Sequence, residues 1–223
     1  MTITFYGENC FKIQSGDFTV LTDPFDVKIG LTPPRLKPDV ILKTLTLFPI
    51  ANQLIGQQTH QLIHGPGEYN IKDINITGFG LPLEQAKDPA SAKTTAGKSE
   101  KLIKTIYLIK IENINLCFLG HLSEMLEPII LEHLEEIDIL FIPAGGEPFI
   151  DQKSAVKLIK QIEPKIIIPT FFKIPGLKRT TADLKIFLEE FGYKEKIEPQ
   201  EKLTIKKKDL AEIKKTEIII LKT

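Results

Sequence analysis

Apolar positions in the first third of the chain fall in short runs broken by turn residues. Thr2 to Tyr6 alternates, Cys10 to Gln14 follows Gly-Glu-Asn, and Phe18 to Thr22 follows Ser15-Gly16-Asp17, a hairpin signal. That strand runs into Asp23-Pro24-Phe25 and then a Pro/Gly-rich loop, Lys28 to Pro38. Pro38-Asp39 leads into Val40, Ile41 and Leu42; Leu45, Leu47 and Phe48 continue the apolar run and Pro49 stops it. This reads as a buried strand emptying into a turn. Gln61 to Ile63 predicts a short strand ahead of the turn cluster His64-Gly65-Pro66-Gly67-Glu68-Tyr69, and Ile71 to Phe79 alternates as one half-exposed strand. Leu83 to Lys104 is Ala/Lys/Ser/Thr-rich, too polar to pack, and reads as a mobile excursion whose Lys87 to Ser99 portion a protease should cut first.

The rhythm changes in the second half. Thr105 to Ile111 and Ile114 to Leu119 predict a hairpin, and Glu127 to Glu136 has helical spacing with Pro128 in its first turn. Ile137 to Ile142 and Lys165 to Ile168 are apolar but for Asp138 and Lys165, as strands covered on both faces are. Between them Asp151 caps a helix with Ala155, Leu158, Ile159 and Ile162 on one face. Thr181 to Phe191 predicts a helix ended by Gly192, and Lys202 to Lys206 and Glu217 to Leu221 are strand-like ends. Hairpins followed by strand–helix–strand units predict an α/β (α+β) sandwich of two sheets with helices outside. It is one domain, 1–223, with halves of roughly 1–104 and 105–223 as the candidate sources of the two sheets.

Composition changes this picture little. Apolar residues are 42% and charged residues 26% of 223, and Lys+Arg equals Asp+Glu at 29 each, so no global basic footprint for nucleic acid is present. Lys206-Lys207-Lys208 reads as a solvated strand end. No apolar run reaches the length of a membrane span, and the first residues do not read as a signal peptide. Cys10 and Cys117 sit in strand-like surroundings, which predicts buried reduced thiols and a cytoplasmic setting.

Seven pieces stand in order: Tyr6-Gly7-Glu8-Asn9-Cys10-Phe11, Thr22-Asp23-Pro24-Phe25, Gly65-Pro66-Gly67-Glu68-Tyr69, Thr105 to Ile109, Phe118-Leu119-Gly120-His121-Leu122, Phe141-Ile142-Pro143-Ala144-Gly145-Gly146 and Ile166-Ile167-Ile168-Pro169. Together they resemble the metallo-β-lactamase-fold superfamily, over nearly the whole chain, and within it the bacterial branch of stand-alone "metal-dependent hydrolase" proteins. The resemblance implies a four-layer αββα sandwich with a metal site at the mouth between the sheets. In that family the strand after the Asp-Pro-Phe loop ends Thr-His-x-His-x-Asp-His. Here Thr44 matches, and the ligand positions are Leu45, Leu47, Pro49 and Ile50. The third histidine falls where this chain has Phe79, Gly80, Leu81 and Pro82. His121 stands for the metal-bridging aspartate and Phe171 for the last ligand. A hydrolytic zinc needs about three or four N, O or S donors and lowers the pKa of its water to roughly 7. Leu, Pro, Ile and Phe have no lone pair to offer, so the resemblance implies a former site filled by apolar side chains.

The polar residues that remain carry the alternatives. His121 is a substitute ligand, a general base, or simply a hydrogen-bonded strand-end residue. Asp23 matches a family carboxylate just behind the metal, or is an Asp-Pro turn. Asp23, His64, Glu68 and His121 make up the one makeshift ligand set available. His64 is also explained by its turn, while His60 and His133 read as exposed. Ser123 and Ser154 lack a nucleophile elbow, Gly145-Gly146 is no phosphate cradle, and neither cysteine has a nearby His in sequence.

The favoured expectation is a metallo-β-lactamase-fold pseudo-hydrolase without a cofactor, acting by binding or assembly with an unknown protein or small-molecule partner, away from nucleic acid and membrane. The alternative is a metal-dependent hydrolase holding zinc or another divalent ion in a rearranged site around His121, Asp23 and Glu68. A third reading is a metal-free small-molecule binder whose mouth gathers Leu45, Leu47, Phe79, Phe171 and Phe172.

Overall fold

The computed structural model describes residues 1–48, 60–81, 101–193 and 197–223. Strands and helices are numbered in chain order. Alternation in the first hairpins places one side of each strand inward, and six strands build one sheet: β13 (Leu203–Thr204), β1 (Thr2–Gly7), β2 (Cys10–Ser15), β3 (Phe18–Thr22), β4 (Val40–Leu42) and β6 (Gln61–Ile63). The second sheet runs β14 (Glu217–Ile218), β12 (Ile166–Thr170), β11 (Ile139–Pro143), β10 (Ile114–Phe118), β9 (Lys101–Ile111), β8 (Ile74–Gly80) and β7 (Gly67–Ile71), with β5 (Leu45–Phe48) paired to the start of β9. The wholly buried β11 and β12 lie parallel, as their unbroken apolar runs require.

Aromatic rings join the sheets. Phe5 stacks on Phe11 at 4.8 Å, Phe11 meets Phe141 edge-on at 4.8 Å, and Phe141 stacks on Phe118 at 3.8 Å, linking β1 and β2 to β11 and β10. Helix α2 (Gln152–Ile162), capped by the Asp151 side chain on Ser154 N, buries Ala155, Val156, Leu158, Ile159 and Ile162. Helix α3 (Leu184–Phe191) packs beside it and ends on left-handed Gly192. The remaining helices, α1 (Pro128–Leu131) and α4 (Lys207–Glu212), are short.

Several boundaries differ from the pattern reading. The stretch read as one strand from Asp39 onward is two, in different sheets: β4 pairs β3 and β6, and β5 pairs β9. The break is at Lys43-Thr44, where Thr44 donates to Asp23 and Thr44 O accepts from Thr105 N at 2.8 Å, so the chain crosses between layers. The turn cluster before Tyr69 yields a strand from Gly67, and Lys72-Asp73 breaks the Ile71–Phe79 run into a hairpin, with Lys72 at φ 54°. Strand β9 begins at Lys101, because β5 supplies hydrogen bonds that local polarity does not reveal. The rest of the expected excursion, including Lys87 to Ser99, lies outside the described residues. Only one turn of the Glu127–Glu136 helix forms, and α3 starts at Leu184, capped by Asp183. Nor do the halves divide by sheet: β5, β7 and β8 join the second sheet and β13 the first. Among the described residues no helix is long and apolar enough to cross a membrane.

Candidate functional site

The mouth is built where β3 ends at Thr22, β4 hands over to β5, and β10, β11 and β12 end. Its backbone is held in costly conformations. Asp23 has φ 35° and Phe171 has φ 54°, both in the left-handed region that side chains with a Cβ rarely adopt. Each is tied down. Asp23 N donates to Leu42 O at 2.8 Å, and Phe171 N donates to Glu8 O at 3.0 Å. Gly145 lets the Phe171 carbonyl approach, since a Cβ on Gly145 would stand 2.0 Å from that oxygen. Gly120, at φ 55°, does the same for Thr44, whose Cβ would lie 2.3 Å from an added methyl.

One carboxylate is wrapped by donors. Asp23 Oδ2 accepts from Asn9 Nδ2 at 2.7 Å and from Thr44 Oγ1 at 2.5 Å, while Oδ1 accepts from Thr44 N at 2.8 Å. Asn9 and Thr44 are fully buried. Thr44 Oγ1 is also 2.9 Å from His121 Nδ1. With its own hydrogen given to Asp23, the Thr44 oxygen accepts from the ring, so His121 carries its hydrogen on Nδ1 and a lone pair on Nε2. The ring lies 4.8 Å from the centroid of Phe171 and 5.9 Å from that of Phe149, which stack at 4.1 Å. Burial lowers the His121 pKa to about 4; the Asp23 carboxylate opposes that shift, and the Arg179 guanidinium reinforces it. His121 is therefore neutral at physiological pH.

Of the residues singled out in the sequence, Asp23 and His121 are brought together through Thr44, and Phe171 is buried against Phe149 and His121. The makeshift ligand set is not assembled. Glu68 lies exposed on β7 opposite Thr77, and among the described residues no three of His, Cys, Asp and Glu come close enough to hold an ion. The expectation of apolar fill also needs correcting. Leu47 is 42% exposed and Leu45 half-buried on β5; the buried apolar rings beside His121 are Phe171 and Phe149 instead. Pro49 and Ile50 lie outside the described residues. Nor does the greasy mouth form as a cluster: Phe172 joins Phe5 at 6.0 Å and Phe79 stacks on His133 at 5.2 Å. His133 is exposed, as read. His60 is partly buried, with Nε2 shut away from solvent, because β6 begins directly after it. Both cysteines are buried and free, their thiols pushed up by burial.

Pattern reading missed Asn9, Glu8, Phe149 and Arg179. Glu8 and Asn9 sit within a quoted motif, but nothing in their spacing shows that they face the mouth. Glu8 is buried and neither carboxylate oxygen has a hydrogen bond; its nearest cation is Arg179 Nε at 3.6 Å. Burial raises its pKa above the ordinary value, with Arg179 acting against the shift. The Arg179 guanidinium carbon lies 5.3 Å from the Phe149 centroid and 5.8 Å from that of Phe171.

A family model described as the beta-lactamase superfamily domain matches residues 2–171, and the chain belongs to that family. It is similar to a metal-dependent hydrolase of Methanopyrus kandleri, 23% identical over 222 residues spanning 86% of this chain and 93% of the relative. A metal-dependent hydrolase of Carboxydothermus hydrogenoformans is 24% identical over 207 residues, 77% of this chain and 84% of the relative. Among solved structures, a metallo-beta-lactamase superfamily protein from Thermotoga maritima aligns over the whole of both chains, with 25% identity and a TM-score of 0.73. The α+β sandwich is thus a metallo-β-lactamase fold.

Proposed function

We propose that this chain is a metallo-β-lactamase-fold relative of the metal-dependent hydrolases that holds no catalytic ion and acts by binding or assembly. The observation that carries this reading is the Asp23–Thr44–His121 chain of hydrogen bonds. Asp23 and His121 commit much of their polar capacity to this relay. Both Asp23 oxygens accept from Asn9 and Thr44, and His121 Nδ1 is directed at Thr44. Beside them the His121 Nε2 lone pair and the Glu8 carboxylate remain, and Glu8 faces the Arg179 guanidinium. A hydrolytic ion needs about three or four converging donors, and no three His, Cys, Asp or Glu converge among the described residues. Phe171 supports the same reading, since its ring is buried at the last ligand position. All four histidines and both cysteines are among the described residues, so the grouping of soft donors is complete. The residues present do not fit a zinc centre, and no water-activating step is derived for them.

Elemental analysis of purified protein tests this. Zinc, manganese and iron well below one per chain are expected, and dialysis against a chelator should leave the melting temperature unchanged. A stoichiometric ion that disappears in His121→Ala would overturn the reading and favour a rearranged hydrolase.

A further inference from the structure

We propose that Arg179 and His121 form a recognition site for a small organic carboxylate that also bears a hydroxyl group. This deepens the binding role above and rests on it. Arg179 is 39% exposed, and its guanidinium makes no hydrogen bond to the protein among the described residues. Its Nε edge faces buried Glu8 at 3.6 Å, and its plane is held near the Phe149 and Phe171 rings. A buried carboxylate without a hydrogen bond is costly unless a cation stands by it. Glu8 is therefore a positioning residue: it fixes which edge of the guanidinium turns inward. The opposite edge keeps its two terminal amino groups, the parallel fork that matches a carboxylate.

His121 stands around the same two rings, 4.8 Å from the Phe171 centroid and 5.9 Å from that of Phe149, where the guanidinium carbon lies 5.8 and 5.3 Å away. Its Nδ1–H is anchored on Thr44, so Nε2 is an acceptor that no carboxylate oxygen can satisfy. An O–H can. One ligand with an anionic end and a hydroxyl near it uses both groups, and the guanidinium supplies the positive charge that an ion gives in a metal site.

Nuclear magnetic resonance of the nitrogen-15-labelled full chain, stripped with a chelator, tests this with lactate as probe and sodium chloride at equal ionic strength as control. Lactate should shift the Arg179 Nε–H and His121 Nε2 signals saturably, and chloride should not. Arg179→Gln should weaken lactate roughly ten- to hundredfold, the loss of a charge-assisted pair. Glu8→Gln, if folded, should retain binding at lower affinity. The site is refuted if lactate moves neither signal, if chloride reproduces the shifts, or if Arg179→Gln binds unchanged. Metal content is measured on the same preparation beforehand. A stoichiometric ion refutes the metal-free reading and this site with it, whereas a metal-free preparation without a lactate shift refutes the site alone.

Discussion

Thr44 Oγ1 lies 2.9 Å from His121 Nδ1, and the direction of that hydrogen bond is set by a third residue. Because the Thr44 hydroxyl donates to Asp23 at 2.5 Å, the imidazole must be the donor. The His121 ring is therefore expected as the Nδ1–H tautomer at neutral pH, visible in its ring nitrogen shifts. Thr44→Val removes the acceptor and one donor to Asp23 while keeping the volume. It should destabilise the chain by about 1–3 kcal/mol, since buried partners are left unmatched. Urea unfolding of the two proteins checks the size, and an unchanged midpoint would show the relay to be idle.

Acid should weaken the fold through the same ring. His121 titrates at about 4 folded against 6.5 for an ordinary histidine. Between those values the unfolded chain binds more protons, so stability is present in full above 6.5 and falls as pH drops towards 4. Its share is on the order of 1–3 kcal/mol. Wild type and His121→Gln should differ in the slope of stability against pH across that window, the variant being flatter.

Close approach at the mouth gives a sharper test. An alanine at position 120 would place its methyl 2.3 Å from the Thr44 Cβ, on a residue at φ 55°. Thr44 is buried and doubly bonded to Asp23, so it cannot step aside. Gly120→Ala should cost about 2–4 kcal/mol and lower the melting temperature clearly. Gly16→Ala, also at positive φ but with open space around it, is the control and should cost about 1 kcal/mol.

The thiols should be silent. Cys10 and Cys117 are buried, and burial, first of all, pushes both thiols up. A thiol reagent should label neither in the folded chain and both after denaturation. Rapid labelling of native protein would mean that the sheets around them open.

Much of the fold was legible because it is written in local pattern. The alternation of Thr2 to Tyr6, the uniform apolar runs at Ile139–Pro143 and Ile166–Thr170, and the Asp151 cap each depend on neighbours in sequence. The likeness of seven ordered pieces reached further, to the superfamily. Strand ends were less legible, since β5 and the start of β9 exist through each other.

The residues alone determined which side chains carry donor atoms, for a side chain without a lone pair cannot acquire one by folding. What stands around the mouth was decided in three dimensions. Phe149, Arg179 and Glu8 come from three separate segments, and meet Phe171 and His121 because two sheets end at one mouth. Leu47 faces solvent rather than the cleft because β5 pairs at an edge of its sheet. No spacing along the chain encodes such meetings; they follow from which surfaces the folded layers bring within a few ångströms.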